Sequence, residues 1–146
     1  MRYREIKPRW KYLLGANYTI ATGILPSAII DVPYLHLDMA GVLTIAGGEE
    51  GGYMWDGPSG PMRDTPSAMR GSLVHDAFYQ LLRMGLLDYD PCKRQADGLF
   101  ARICIADGMN RFRAWYALRG LRFGKPKEPE KGDAIEWIVI PEPEVA

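Results

Sequence analysis

Two helical apolar patterns, separated by a short polar loop, place the strongest constraint on how this chain folds. In the first, over residues 66 to about 84, apolar residues recur at the helical period, and Gly85 ends the pattern. The second runs from about residue 91 to 106, with Pro91 near its first turn and Gly108 after its end. Because the loop LLDYDP is so short, we expect the two helices to pack antiparallel.

The segments on either side of this helix pair predict the remaining elements. Strand-like segments rich in β-branched and aromatic residues come first: KYLLGANYTIAT, AIIDV, LHLDM and GVLTIAG. MNRFRAWYALRGL predicts a third helix whose apolar side carries Met109, Phe112, Tyr116 and Leu118, and AIEWIVI predicts a last strand. The expected fold is α+β, with N-terminal β-strands followed by a three-helix core with an antiparallel helix pair, and a C-terminal strand.

The length of 146 residues predicts a single domain over residues 1–146. Within it we expect a β-rich part over 1–52, a helical core over 53–124, and a charged loop, strand and tail over 125–146. A hydrophobic fraction of 47% with 25% charged residues is typical of an ordinary globular protein.

The balance of charge and the shortness of the apolar segments disfavour several classes of protein. Eighteen Lys and Arg balance 18 Asp and Glu, which disfavours non-specific nucleic-acid binding. The basic and aromatic stretch NRFRAWYALRGLRFGKPK keeps that function open, beside the simpler interpretation of a helix with a solvated arginine face. We expect neither a transmembrane segment nor a signal peptide. Two cysteines make no disulfide framework, which indicates a reducing compartment.

The dipeptide His75-Asp76 in SLVHDAFYQLLR is the first candidate for chemistry. At about 100° per residue, His75 falls at the edge of the apolar face and Tyr79, one turn on, lies on the same side. Asp76 projects away from the core. This arrangement predicts a general base beside a metal ligand. The competing interpretation is a structural histidine.

Asp97 is the candidate partner of His75, because it stands in the otherwise apolar helical segment ADGLFARI, where a lone buried carboxylate is costly. Antiparallel helices would bring Asp97 close to His75 and Tyr79. Its carboxylate would then accept one imidazole N–H and leave the other nitrogen free as base. These three residues form the predicted catalytic set. The alternatives are that Asp97 caps its helix, or pairs with Arg94 or Arg102.

The segment GGEEGGYMWDGPSGP, before the first helix, is too rich in Gly and Pro to continue a sheet. Its backbone carbonyls and the Asp56 carboxylate are oxygen ligands suited to a hard cation such as calcium. The predicted metal ligands are Asp76, Asp56, Gly57 and Gly60, with Asp64 as a spare. The simpler alternative is that this segment is only a turn.

Several segments of this chain, in and between the predicted helices, resemble a family of unknown function found in bacteriophages and prophages. The similarity lies in residues 56–64, 75–79, 96–100 and 111–124, and it covers about half of the chain. It implies a phage-encoded protein made in the host cytoplasm. As a tail, baseplate or head component, such a protein would be incorporated in the virion and contact other phage structural proteins.

The motif His-Asp-x-x-Tyr and the Gly-rich loop also resemble the catalytic core of bacterial-type secreted phospholipase A-two. That resemblance implies that His75 activates water for attack on a phospholipid ester. It implies calcium binding by Asp76 with the loop of residues 56–60, an orienting role for Asp97, and a Tyr79 that holds Asp97.

The chain departs from the phospholipase pattern in its cysteines. Ser72 stands where a cysteine normally precedes the histidine, and Cys92 and Cys104 lie about three turns apart on one helix, too far to bridge each other. Two functions therefore stay open. One is a calcium-dependent lipid esterase, and the other is a non-catalytic virion structural or assembly protein.

Overall fold

The computed structural model describes residue 1 and residues 3–5, 12–58 and 65–123. Contacts among them form two compact units, one within Met1–Asp56 and the other within Gly57–Lys131. Strands occupy the first unit and helices the second, which confirms the α+β class. The expected strand AIEWIVI lies outside the described residues, and the single domain over residues 1–146 stays a prediction.

Two antiparallel sheets make up the first unit. Within the described residues the strands are β1 (Tyr3–Glu5), β2 (Tyr12–Leu14), β3 (Tyr18–Ala21), β4 (Ile30–Val32), β5 (Leu35–Leu37), β6 (Val42–Ile45) and β7 (Met54–Trp55). One sheet has the order β1-β2-β7 and the other the order β3-β6-β5-β4. In β5, Leu35 and Leu37 are buried while His36 between them is partly exposed, as its alternating sequence predicts.

One strand-like segment is divided in two, and one prediction about the strands was wrong. The strand-like segment KYLLGANYTIAT contains both β2 and β3, because residues 15–17 interrupt it. The Gly-rich segment does continue a sheet, since Trp55 pairs with Tyr12 and Met54 with Leu13. The Trp55 side chain is fully buried and its ring lies 5.4 Å from that of Tyr12. Burial of this large aromatic pair outweighs the local preference for a turn.

Three helices lie in the second unit: α1 (Pro66–Arg83), α2 (Tyr89–Ala106) and α3 (Arg111–Phe123). The predicted stop at Gly85 is confirmed, because its positive φ of 71° lets the Leu86 N–H bond back to Leu81 O and close the end of α1. Helix α2 begins two residues earlier than the predicted Pro91. Proline is tolerated there because amides in the first turn have no partner within the helix.

The predicted antiparallel packing of α1 and α2 is confirmed by the order of their contacts. Arg70, near the start of α1, forms an ion pair of 2.7 Å with Asp107 at the end of α2. Further along α1, His75 meets Asp97 in the middle of α2. Residues further along α1 therefore contact residues nearer the start of α2, as antiparallel packing requires.

Gly71 allows the two helices to approach closely. A Cβ built on Gly71 would lie 2.7 Å from Cys104 Sγ and 3.2 Å from Phe100 O. Both neighbours belong to one apolar cluster, whose members are Ala68, Phe100, Cys104, Met109, Ala114 and Ala117, with Leu121 packed against it. Gly71 thus sets the distance between α1 and α2. That distance determines which side chains of the two helices can contact each other.

Helix α3 buries its small residues and exposes its large ones. Ala114 and Ala117 are buried, whereas Phe112, Trp115 and Tyr116 are between 50% and 73% exposed. The side that packs is therefore not the apolar side, with Phe112 and Tyr116, that the pattern predicted. None of the helices in the described part of the chain combines the length and the apolar character needed to cross a bilayer.

We expect Gly71→Ala to lower the free energy of unfolding by about 1–3 kcal/mol, because the added methyl forces α1 and α2 apart. Gly120→Ala in α3 is the matched control, since a Cβ there meets no atom within 4 Å. The control should raise the stability by up to about 1 kcal/mol through helix propensity. Urea unfolding measures both, and equal effects would contradict the close-approach explanation.

Candidate functional site

The antiparallel helix pair brings the predicted catalytic set together. His75 and Tyr79 lie one turn apart on α1 and face Asp97 on α2. Asp97 has no exposed surface, and the histidine is only 7% exposed. The sequence prediction that these three side chains meet is confirmed.

The central contact joins His75 Nε2 to Asp97 Oδ1 at 2.8 Å. A carboxylate only accepts hydrogen bonds, so the shared proton belongs to Nε2. In neutral His75 the other ring nitrogen, Nδ1, then carries a lone pair. Asp97 therefore selects the tautomer in which Nδ1 is able to accept a proton.

Asp97 also accepts hydrogen bonds from two further side chains. Tyr79 donates its hydroxyl to Oδ1 at 2.6 Å, and Lys93 donates its ammonium to Oδ2 at 2.9 Å. Lys93 was missed in the sequence, although its spacing of four residues before Asp97 on one helix is the signal for such an ion pair. The cation on its own helix that pairs with Asp97 is Lys93, rather than Arg94 or Arg102.

These contacts set the charge states of the site. Burial by itself raises the pKa of Asp97, but hydrogen bonds from His75, Tyr79 and Lys93 outweigh it and lower that pKa below its ordinary 3.8. Burial and the bond to Asp97 raise the pKa of Tyr79, which keeps its hydroxyl a neutral donor. Asp97 is therefore an ionised carboxylate in the interior.

The pKa of His75 is raised above its ordinary 6.5. Burial alone lowers it, but the carboxylates of Asp76 and Asp97 outweigh that effect by stabilising the imidazolium. Two aromatic rings hold the imidazole in place. The Tyr79 ring centre lies 3.9 Å away, and Phe100 approaches edge-on at 5.5 Å. The imidazole is thus both tuned by charge and fixed in orientation.

Asp76 lies beside the second ring nitrogen. Its Oδ1 is 4.0 Å from His75 Nδ1, beyond hydrogen-bond distance, and its side chain is 34% exposed. The pair therefore interacts by charge. A carboxylate that solvent reaches is a suitable oxygen ligand for a hard cation.

The remaining predicted metal ligands are only partly described. Asp56 is exposed at the end of the first unit, and Gly57 is buried at the start of the second, with a positive φ of 78°. Gly60 and Asp64 lie outside the described residues. Among the residues with described positions, no three His, Cys, Asp or Glu side chains form a metal-binding group. The calcium site, which relies partly on backbone carbonyls, stays a prediction.

The two cysteines contribute no reactive group. Cys92 and Cys104 are both free and buried, in agreement with the expected absence of a bridge between them. Burial raises the pKa of Cys92, and it raises the pKa of Cys104 to about 12. Both therefore remain protonated at neutral pH, where a thiol is a poor nucleophile. Ser72 bonds instead to Met69 O at 2.8 Å.

We expect the ionised state of Asp97 to make the fold sensitive to acid. Because its folded-state pKa lies below 3.8, its contribution to stability is complete above 3.8 and is lost as the pH falls through the lower value. Between pH 5 and the folded-state pKa, the free energy of unfolding should fall more steeply with acidification in the wild type than in Asp97→Asn. Urea unfolding at a series of pH values measures this, and identical slopes would contradict the assignment.

Comparison of the chain with models of known protein families, with curated proteins and with solved structures finds no match. The function is therefore inferred from the geometry of His75, Asp76, Asp97, Tyr79 and Lys93. That geometry provides an oriented imidazole, a buried ionised carboxylate and a second carboxylate that solvent reaches.

Proposed function

We propose that the protein is an ester hydrolase in which His75 is the general base. The observation that carries the proposal is the 2.8 Å contact between His75 Nε2 and the wholly buried Asp97. It supports a neutral imidazole with its proton on Nε2 and its lone pair on Nδ1. The phospholipase resemblance names phospholipid esters as the substrate class.

The interior charge of Asp97 favours a functional over a purely structural role. A buried ion pair is weak evidence for stability, because removing two charges from water offsets much of their attraction. Groups whose pKa values are shifted by burial together with a specific partner are frequent in active sites. His75 and Asp97 both have shifted pKa values and share one hydrogen bond.

In the proposed reaction, His75 Nδ1 accepts a proton from water while the water oxygen forms a bond to the ester carbonyl carbon. The tetrahedral intermediate collapses as the bond between the carbonyl carbon and the alcohol oxygen breaks. The imidazolium returns its proton to that departing oxygen, leaving a carboxylic acid and an alcohol. Asp97 stabilises the transient imidazolium through the Nε2 hydrogen bond.

Calcium is the cofactor that the proposal includes. Asp76 with the backbone carbonyls of Gly57 and Gly60 would hold it, as the phospholipase resemblance implies. Bound calcium would supply positive charge that stabilises the oxyanion of the intermediate.

We expect kcat/KM for a soluble short-chain phosphatidylcholine to rise with pH through the His75 pKa, above 6.5, because only neutral imidazole accepts the proton. His75→Gln should lower kcat/KM by about 100-fold or more, the usual contribution of a general base. A pH-stat assay with millimolar calcium measures both effects.

The matched control is His36→Gln, since His36 also lies near an aspartate, Asp31 at 3.3 Å, but is half-exposed and belongs to the other unit. The kcat/KM of this variant should equal that of the wild type. Activity that survives His75→Gln would show that another group is the base. Absence of activity, with the protein present in purified virions at fixed stoichiometry, would favour the structural alternative.

We expect millimolar calcium to raise the Tm of the wild type by about 2–5 °C, because a ligand that binds only the folded state stabilises it. Asp76→Asn should lose this shift. Asp90→Asn, which removes an exposed carboxylate from α2, should keep it. Differential scanning calorimetry measures the shifts, and an equal response in all three proteins would contradict the metal role of Asp76.

A further inference from the structure

The outer side of helix α3 carries aromatic side chains in solvent. Phe112 is 73% exposed, Trp115 50% and Tyr116 56%. With Arg119, they follow the spacing i, i+3, i+4 and i+7, which places all four on one side of the helix, here called the α3 stripe. The simpler interpretation of this stretch, a helix with only a solvated arginine face, is therefore wrong. Adjacent exposed rings of this kind mark an interaction surface.

Helix α3 is also strongly positive. Its 13 residues include no aspartate, glutamate or lysine, and they include four arginines: Arg111, Arg113, Arg119 and Arg122. The equal numbers of acidic and basic residues in the whole chain thus conceal a local excess of positive charge. Guanidinium groups bind phosphate with two parallel hydrogen bonds, which the ammonium of lysine does not provide. The charge and its chemical form favour a partner that carries phosphates.

Cations and rings are interleaved within the α3 stripe. The Arg119 guanidinium lies 5.3 Å from the centre of the Trp115 ring, and the Phe112 ring lies 6.0 Å from Trp115 on the other side of the pair in sequence. A partner must therefore present negative charge and planar apolar groups at the same place. Single-stranded nucleic acid offers both, because its phosphates bind guanidinium groups and its unpaired bases stack on aromatic rings.

Two other occupants suit this surface less well. Helices that lie on a bilayer turn an apolar side toward the lipid and keep their cations on the other side. In α3 a cation stands among the rings instead, and the exposed large apolar residues among its described side chains are all aromatic. A second copy of the same face would bring the arginines of two helices together, and like charges across an interface repel.

We propose that helix α3 binds single-stranded nucleic acid through the α3 stripe, with Arg111 and Arg122 beside it. The rings stack on bases, and the guanidinium groups bind phosphates. In a duplex the bases stack on one another and are closed to such rings, so the duplex is held by charge alone. The binding goes beyond the proposed hydrolysis and does not depend on it.

The test is fluorescence anisotropy of an end-labelled oligodeoxythymidine of about 12 nucleotides, within the range of single-strand site sizes. We expect the full chain to bind this strand at least about fivefold more tightly than the duplex of the same length, since stacking adds to the charge term. Trp115→Ala should weaken single-strand binding by about tenfold, whereas Trp115→Phe, which keeps a ring, should retain most of it.

The charge contribution is measured by the dependence of log Kd on log salt concentration between about 50 and 200 mM. Arg122→Gln should reduce the slope by about 0.7, the value of one phosphate contact on a single strand. Arg102→Gln is the matched control. Arg102 is exposed on α2 and lies nine residues after Lys93, which bonds to α3, so at about 100° per residue it is on the opposite side of α2. It should leave the slope unchanged.

The control for loss of an exposed apolar side chain is Leu25→Ala, since Leu25 is 63% exposed in the other unit. It should bind as the wild type does. Circular dichroism checks that each variant keeps its helices. If Trp115→Ala does not, Tyr116→Ala takes its place, with the same expected loss of affinity.

Three results would overturn the proposal: no binding of the single strand, equal affinity for single strand and duplex, or unchanged affinity in a folded Trp115→Ala or Tyr116→Ala. Binding to phosphatidylglycerol vesicles without binding to the oligonucleotide would likewise overturn it and identify a lipid-binding surface. Hydrolysis without oligonucleotide binding would overturn only this inference. Oligonucleotide binding without hydrolysis would support it and overturn only the proposed function.

Discussion

A negative charge buried between two helices is the feature that most constrains how the helical unit packs. Asp97 has no exposed surface, so its carboxylate is stable only where donors replace the lost water. His75 and Tyr79 come from α1, and Lys93 comes from α2 itself. This set of bonds is made in one register of the two helices, because a shift by one residue would turn the imidazole and the phenol away from the carboxylate.

The close approach of the helices and the polar network support each other. Gly71 lets α2 pack near α1 one turn before His75, with Cys104 against the space that a side chain would fill. The separation of the helices is thereby compatible with hydrogen bonds of 2.6–2.8 Å from His75 and Tyr79 to Asp97. The network also reaches α3, since Lys93 bonds to Leu121 O. The packing of the helices and the charge pairing of the network are therefore coupled in this unit.

Much of the site was predictable, because its main signals are local. Helical periodicity placed His75 and Tyr79 on one side of α1, and Gly85 marked where that helix ends. The short loop then required an antiparallel return, which brought Asp97 to face them. The predicted calcium site depends on more than local signals, because it combines Asp76 with the Gly-rich segment, of which Gly60 lies outside the described residues.

The sequence by itself determined the α+β class and the bounds of α1 to within one or two residues, and it predicted the pairing of His75 with Asp97 beside other possible partners. Only the tertiary structure decided that Lys93 is the cation beside Asp97, that α3 packs through alanines, and that Trp55 extends a sheet. The physical reason is that periodicity and turn residues act within a few positions of the chain. Burial and charge pairing depend on which distant side chains are near, and packing decides that.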